Sequence, residues 1–119
     1  MKKIFKIPLE IDGKNWSLNK IYAEVHWTVR RKDKNNIRLL VRSIIGMKKP
    51  FKNPVSIKMA FNSGLDVSNH GYIFKLIEDA LVKCGVIQND SYKYVQCNIM
   101  TIQKSFKGVI VEVEELKEE

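Results

Sequence analysis

The feature that most constrains the fold is a run of apolar residues at helical spacing in the second half of the chain. The apolar residues recur at i, i+3, i+4, i+7, i+8 and i+11: Ile73, Leu76, Ile77, Ala80, Leu81 and Cys84. This period predicts an amphipathic helix whose apolar stripe must be covered by another layer. Ser68 or Asn69 could cap the helix, and Gly85 could end it.

Strand signals on both sides of this helix supply the covering layer. Residues 55–61 alternate between apolar and less apolar side chains, which predicts a half-buried strand. Two further strands are predicted at 94–102 and 108–116, and an N-terminal strand at 3–11. The order of elements predicts an α/β (α+β) fold. We expect a single domain over residues 1–119, with a mixed or antiparallel sheet of about four strands packed on two main helices.

The first half of the chain predicts helical structure with a polar interruption. Ser17 could cap a helix whose apolar face runs from Leu18 to Val29. The pattern breaks at the polar run 30–36 and resumes from Ile37 to Ile45. These residues allow either one long helix with a solvent-exposed middle or two helices, and we favour one.

Charge is distributed unevenly along the chain. Residues 1–60 carry 15 Lys and Arg against 4 Asp and Glu, and residues 61–119 carry 6 against 9, so the net charge is +8. A basic half joined to an acidic half favours a polyanionic partner, although a merely soluble basic protein fits the charge equally well. No apolar run reaches the roughly 18 to 20 residues that span a bilayer, and the N-terminus lacks the apolar core of a signal peptide. We therefore expect a cytoplasmic protein with no membrane partner.

The cysteines and histidines show no metal-binding spacing. Cys84 and Cys97 are not suitably placed relative to each other or to His26 and His70. We expect two buried, reduced thiols. His26, beside Trp27, is expected to pack or to form a hydrogen bond.

Acidic residues flank the second helix and share its polar face. Lys75 and Asp79 are four residues apart, so their side chains can meet. Asp66 precedes the helix and Asp90 follows it, and they are far apart along it because a helix rises about 1.5 Å per residue. A site that joins Asp66 to Asp90 therefore needs loops that fold back, or a contribution from a neighbouring chain. The alternative is that these acids are caps and solvated turn residues.

The same segments resemble the RusA-like Holliday junction resolvases. That family shows an Asp-x-Asp-Asn element, a Lys on a helix, an Asp-Ala-Leu run, and an Asp-Asp pair followed by a strand. The matching segments here are Leu65-Asp66-Val67-Ser68-Asn69, Lys75, Asp79-Ala80-Leu81 and Asn89-Asp90-Ser91. The resemblance covers roughly residues 55–113. Residues 19–30 resemble, more loosely, the first helix of a divergent phage-type branch.

This resemblance implies an endodeoxyribonuclease that uses Mg²⁺ or Mn²⁺ and cleaves branched DNA in recombination and repair. It implies that Asp66 and Asp90 bind the metal and that Lys75 is the catalytic lysine. Carboxylates suit this chemistry because Mg²⁺ binds through one or two of them and keeps several waters. Two symmetric cuts in a junction imply a homodimer.

The chain departs from the family pattern at one acid. Ser68 stands where the family has its second acid, and three extra residues separate Asn69 from Lys75. Asp79 or Glu78 could supply the missing carboxylate, or the metal could be held by fewer charged ligands. We expect Asp79 to be the third ligand.

The expected DNA contacts lie in the basic first half of the chain, at Arg30, Arg31, Lys32 and Lys34, with Asn69 beside the acids. Cationic side chains there would hold the phosphate backbone near carboxylates that repel it. Two other functions stay open. One is a junction- or duplex-binding protein that has lost catalysis with the missing acid, and the other is a basic structural or regulatory partner that assembles through a sheet edge.

Overall fold

A four-stranded mixed sheet is covered on one face by two helices in the computed structural model, which describes residues 2–11, 14–15 and 26–116. The strands and helices are β1 (Lys2–Ile7), β2 (Glu10–Ile11), β3 (Lys14–Asn15), α1 (Trp27–Ile45), β4 (Val55–Asn62), α2 (Gly71–Lys83), β5 (Val95–Ile102) and β6 (Gly108–Glu115). A 3₁₀ turn, Val67–His70, precedes α2. No helix in these ranges is long and apolar enough to cross a membrane.

The order of strands in the sheet is β1-β6-β4-β5. β6 runs antiparallel to β1 and β4, whereas β4 and β5 are parallel. Parallel neighbours need a crossover connection, and the segment that contains α2 provides it. The predicted α+β architecture, a mixed four-stranded sheet with two main helices, is therefore confirmed.

The core lies between the helices and one face of the sheet. Ile57, Met59 and Phe61 of β4 are fully buried, and the intervening residues are exposed or half-buried. Their partners on β6 are the buried valines Val109, Val111 and Val113. Each such side chain contributes about 1.5 to 3 kcal/mol when it is fully buried. Strand alternation thus fixes which face meets the helices.

α1 begins later than the sequence predicted. His26 has extended backbone angles (φ −55°, ψ 139°), and its Nδ1 accepts a hydrogen bond from the Thr28 N–H at 3.2 Å. This cap excludes one continuous helix across residue 26. The expected cap at Ser17 and the segment up to Val25 lie outside the described residues. The polar run 30–36 does not interrupt the helix, because Asp33 begins the buried stripe that continues through residues 37, 41 and 45.

α2 buries the whole predicted stripe, and Gly85 adopts the positive φ (78°) that ends it. The predicted caps are wrong, because Ser68 and Asn69 lie inside the 3₁₀ turn. There the Asn69 N–H donates to the Asp66 carbonyl at 3.0 Å. His70 takes the N-cap position without a side-chain cap bond.

Two smaller expectations also change. The N-terminal strand stops at Ile7 rather than residue 11, and residues 10–11 pair instead with residues 14–15. Residues 12–13 lie outside the described residues. Cys84 is buried as expected, but Cys97 is exposed, because it pairs with Ser56 of β4 on the sheet face away from the helices.

A buried hydrogen bond joins the two helices and yields a stability prediction. The Tyr72 hydroxyl donates to Asp33 Oδ2 at 2.8 Å. Hydrogen bonds to charged groups contribute about 1.5 to 3 kcal/mol, so Tyr72→Phe should lower the free energy of unfolding by that amount. Urea unfolding measures it. The control is Tyr92→Phe, because Tyr92 is 80% exposed and its loss should cost less than about 0.5 kcal/mol. Equal losses in both variants would contradict a stabilising bond at Tyr72.

Candidate active site

One lysine, Lys75, contacts three acidic side chains from the second half of the chain. The Lys75 ammonium on α2 donates to Asp90 Oδ2 at 2.7 Å. It also lies 3.3 Å from Asp79 Oδ1 and 3.5 Å from Glu78 Oε1. Glu78 and Asp79 follow Lys75 by three and four residues, so they share its side of the helix. Asp90 comes from the loop after α2. The loop therefore folds back along α2 and brings Asp90 beside Lys75 of the helix.

The loop that carries Asp90 is held by hydrogen bonds on both sides of it. The Asn89 side chain accepts from the Ser91 N–H at 3.1 Å, which forms a turn around Asp90. Gln88 Nε2 donates to the Phe51 carbonyl at 3.1 Å, and the Ser91 carbonyl accepts the Tyr94 N–H at 3.0 Å. Asp90 is therefore positioned by its neighbours as well as by Lys75.

Glu78 is the most enclosed acid of the cluster. Its side chain is 7% exposed, against 38% for Lys75, and Asn98 Nδ2 on β5 donates to its Oε2 at 3.2 Å. Glu78, one of the two residues that could supply the missing carboxylate, lies on the side of α2 that faces β5. A buried carboxylate needs such partners because its desolvation is costly.

Asp79 connects the cluster to α1. Its Oδ1 faces Lys75, and its Oδ2 lies 3.2 Å from the Lys34 ammonium. The Asp79 side chain is only 14% exposed, so both ion pairs are partly shielded from water. One carboxylate thus serves two lysines from different helices.

The cluster shifts the pKa values of its members in opposite directions. Burial raises the pKa of Glu78, and Lys75 and Asn98 only partly oppose it. The hydrogen bond from Lys75 lowers the pKa of Asp90, despite some desolvation. Burial would lower the pKa of Lys75, but the hydrogen bond to Asp90 and the charges of Asp79, Asp90 and Glu78 outweigh it and raise that pKa. Lys75 is therefore a permanent cation near neutral pH, not a proton acceptor.

Asp66 lies apart from this cluster. It is exposed at the start of the 3₁₀ turn, and within the described ranges its carboxylate forms no ion pair or side-chain cap bond. Ser68 and Asn69, on the same turn, are also exposed. The structure brings together Lys75, Asp79 and Asp90 from the predicted set, but it does not bring Asp66 into contact with them.

A buried histidine fixes the turn that carries Asp66. The His70 ring stacks on Phe61 with 4.1 Å between centroids. Its Nδ1 lies 3.1 Å from the Val67 carbonyl, and its Nε2 lies 2.6 Å from Ser63 Oγ. Because a carbonyl only accepts, Nδ1 is the donor there. His70 is thus a packing residue, and its full burial keeps it from contacting a phosphate.

The predicted DNA-binding residues of α1 occupy different environments. Arg31 and Lys32 are exposed, and Arg30 is half-buried. Lys34 is paired with Asp79 and belongs to the edge of the acidic cluster. The basic surface of α1 therefore adjoins the carboxylates directly.

The donor atoms of the cluster suit a hard divalent cation. Asp79 and Asp90 supply carboxylate oxygens, which Mg²⁺ prefers, and both contact the same ammonium group. Among the residues that the structure describes, no three His, Cys, Asp or Glu side chains are arranged as a metal site. Metal binding by Asp66, Asp79 and Asp90 stays a prediction.

Sequence reasoning missed Asn98, Arg38 and Lys83, which all adjoin the cluster. Asn98 shares a sheet face with Met100 and Ile102, so a polar residue beside two apolar residues on one face of a strand was its signal. Arg38 follows Lys34 by one helical turn, and Lys83 follows Asp79 by the same step.

Comparisons with known proteins add no assignment. No protein-family model matches the chain, and no curated protein matches it significantly in sequence.

The opposite pKa shifts can be measured. In ¹³C-detected carboxyl titrations, Asp90 should titrate below its ordinary range and Glu78 above its own. Because the folded pKa of Asp90 is depressed, its stabilising contribution is complete above the unfolded pKa and is lost as pH falls through the folded pKa. Lys75→Met should raise both carboxyl pKa values, since it removes a favourable charge from each.

The matched control is Lys104→Met, in the turn between β5 and β6. β5 separates that turn from the Asp90 loop by roughly 25 Å, so both carboxyl pKa values should stay unchanged. An unchanged Asp90 titration in Lys75→Met would contradict the ion pair.

Proposed function

We propose that this protein is a metal-dependent endodeoxyribonuclease that cleaves branched DNA such as Holliday junctions. The observation that carries the proposal is the surface cluster in which Glu78, Asp79 and Asp90 surround Lys75, beside the basic helix α1. The RusA-like resemblance assigns function to Lys75, Asp66 and Asp90, and two of these three residues belong to the cluster.

The charge balance of the cluster supports cation binding. Three carboxylates face two ammonium groups, those of Lys75 and Lys34, so the fully ionised cluster has a net negative charge. Asp90 and Asp79 would hold Mg²⁺ or Mn²⁺, and the resemblance adds Asp66, which does not contact them in this structure. When bound, the metal would supply charge for the phosphodiester and an activated water.

The remaining roles belong to side chains of the chain itself. The Lys75 ammonium stabilises negative charge on the scissile phosphate or on the departing oxygen, which a permanent cation can do. Asn89 and Gln88 hold the loop so that Asp90 keeps its position. Arg31 and Lys32 contact the DNA backbone, and Lys34 and Arg30 extend that surface towards the cluster.

A second function is favoured by the contents of the cluster. Ser68 replaces an acid of the family pattern, and the Lys75 ammonium already pairs with Asp79 and Asp90, the two acids of the cluster that are proposed to hold the metal. A protein that binds junctions or duplex DNA without cleaving it has these features. Cleavage of a four-way junction with Mg²⁺ or Mn²⁺, compared with a chelator, separates the two functions.

Paired incisions across a junction require a two-fold homodimer, which also belongs to the proposal. Sedimentation equilibrium of the purified chain, with and without junction DNA, measures this. A monomer in both conditions would contradict symmetric cleavage.

Removal of single carboxylates tests the catalytic assignment. Asp90→Asn and Asp66→Asn should each lower the cleavage rate about a hundredfold or more, which corresponds to roughly 2.7 kcal/mol of barrier. Junction binding in a chelator should be equal or slightly tighter, because a charge that repels phosphate is lost. Single-turnover cleavage and fluorescence anisotropy measure the two effects.

The matched control is Glu114→Gln, on the sheet face away from the helices, and it should cleave like the wild type. If Asp66→Asn also cleaves normally, Asp66 is not a ligand. If Asp90→Asn does so, the proposed site is wrong.

The exposed cations of α1 should set the salt dependence of binding. Replacing both Arg31 and Lys32 by Gln should flatten the slope of log affinity against log salt by about two units. The reason is that binding releases about one counterion fewer for each phosphate contact that is lost. Anisotropy titrations of a four-way junction between about 50 and 200 mM salt measure this. An unchanged slope would place the DNA elsewhere on the molecule.

A further inference from the structure

A cavity of about 200 Å³ lies between α1 and α2, next to the cluster. Its lining consists of Lys34, Asn35 and Arg38 from α1, and Asp79, Ala80 and Lys83 from α2. A water molecule takes about 30 Å³ of liquid volume, so the cavity has room for a phosphate group and several waters.

The lining of this interhelical cavity is positively charged. It contains three basic side chains and one acid, and the acid, Asp79, is already paired with Lys34 and Lys75. Arg38 and Lys83 form no ion pair within residues 2–11, 14–15 and 26–116, and both are exposed. Their charges are therefore available to an anion.

The spacing of the basic residues directs them to the same place. Lys34 and Arg38 are one helical turn apart on α1, and Lys83 lies one turn beyond Asp79 on α2. Arg31 precedes Lys34 by three residues and continues this stripe along α1. A basic path thus leads along α1 into the cavity.

We propose that the interhelical cavity binds a phosphate group of the nucleic-acid backbone through Arg38 and Lys83, with Lys34 also in its lining. The guanidinium can donate two parallel hydrogen bonds to phosphate oxygens, and the lysine adds a point charge. Asp79 separates this subsite from Lys75, so a phosphate held there lies beside the reacting phosphate rather than at it. The identity of the ligand as DNA rests on the proposed function, whereas phosphate binding does not.

The experiment compares Arg38→Gln and Lys83→Gln with Lys104→Gln, a lysine in the β5–β6 turn. Affinity for a four-way junction is measured in a chelator. Each cavity variant should flatten the salt slope by about one unit, equivalent to about an eightfold loss of affinity at 0.1 M salt, and the control should match the wild type. In parallel, NMR follows the Arg38 Nε–Hε resonance of the wild type as inorganic phosphate is added.

The outcomes separate the subsite from the nuclease proposal. Wild-type salt slopes in both cavity variants, with DNA still bound, would overturn the subsite and leave the nuclease proposal standing. If the wild type binds no DNA but phosphate shifts the Arg38 resonance, the subsite takes free phosphate and the nuclease proposal fails. If the wild type binds no DNA and phosphate does not shift the Arg38 resonance, both proposals are overturned.

Discussion

The enclosure of α2 is the constraint on which the rest of the structure depends. Its apolar stripe packs into the core, and its remaining sides meet α1, β5 and the loop after the helix. Charged residues on such a helix cannot all reach open water, and a buried charge without a partner costs several kcal/mol. Lys75, Glu78 and Asp79 therefore need oppositely charged or hydrogen-bonding partners from the elements that surround α2.

These partners join parts of the chain that the backbone alone would leave apart. Lys34 from α1, Asp90 from the loop and Asn98 from β5 all converge on the three charged residues of α2. Tyr72 lies one turn before Lys75 on α2, and its hydroxyl donates a hydrogen bond to Asp33, the residue directly before Lys34. Helix packing and site geometry thus depend on the same contacts.

Periodicity was enough to predict most of the fold. The stripe of α2 and the alternation of β4 depend on burial of side chains nearest each other in sequence, so a single chain displays them. The start of α1 at residue 27 and the 3₁₀ turn depend on individual hydrogen bonds, to His26 and to the Asp66 carbonyl, which leave no periodic signal. The site divides in the same way. The Lys75–Asp79 pair follows from helical spacing, whereas Lys34 and Asn98 join it only through tertiary packing.

The two carboxylate oxygens of Asp79 face two different lysines. Because Oδ1 faces Lys75 and Oδ2 faces Lys34, whatever draws Lys34 away leaves more of the carboxylate charge to Lys75. If an anion binds on the Lys34 side as proposed, thermodynamic linkage makes this effect reciprocal, so a change of charge beside Lys75 would alter that anion's affinity. One partly buried carboxylate would then couple two neighbouring surfaces without any movement of the backbone.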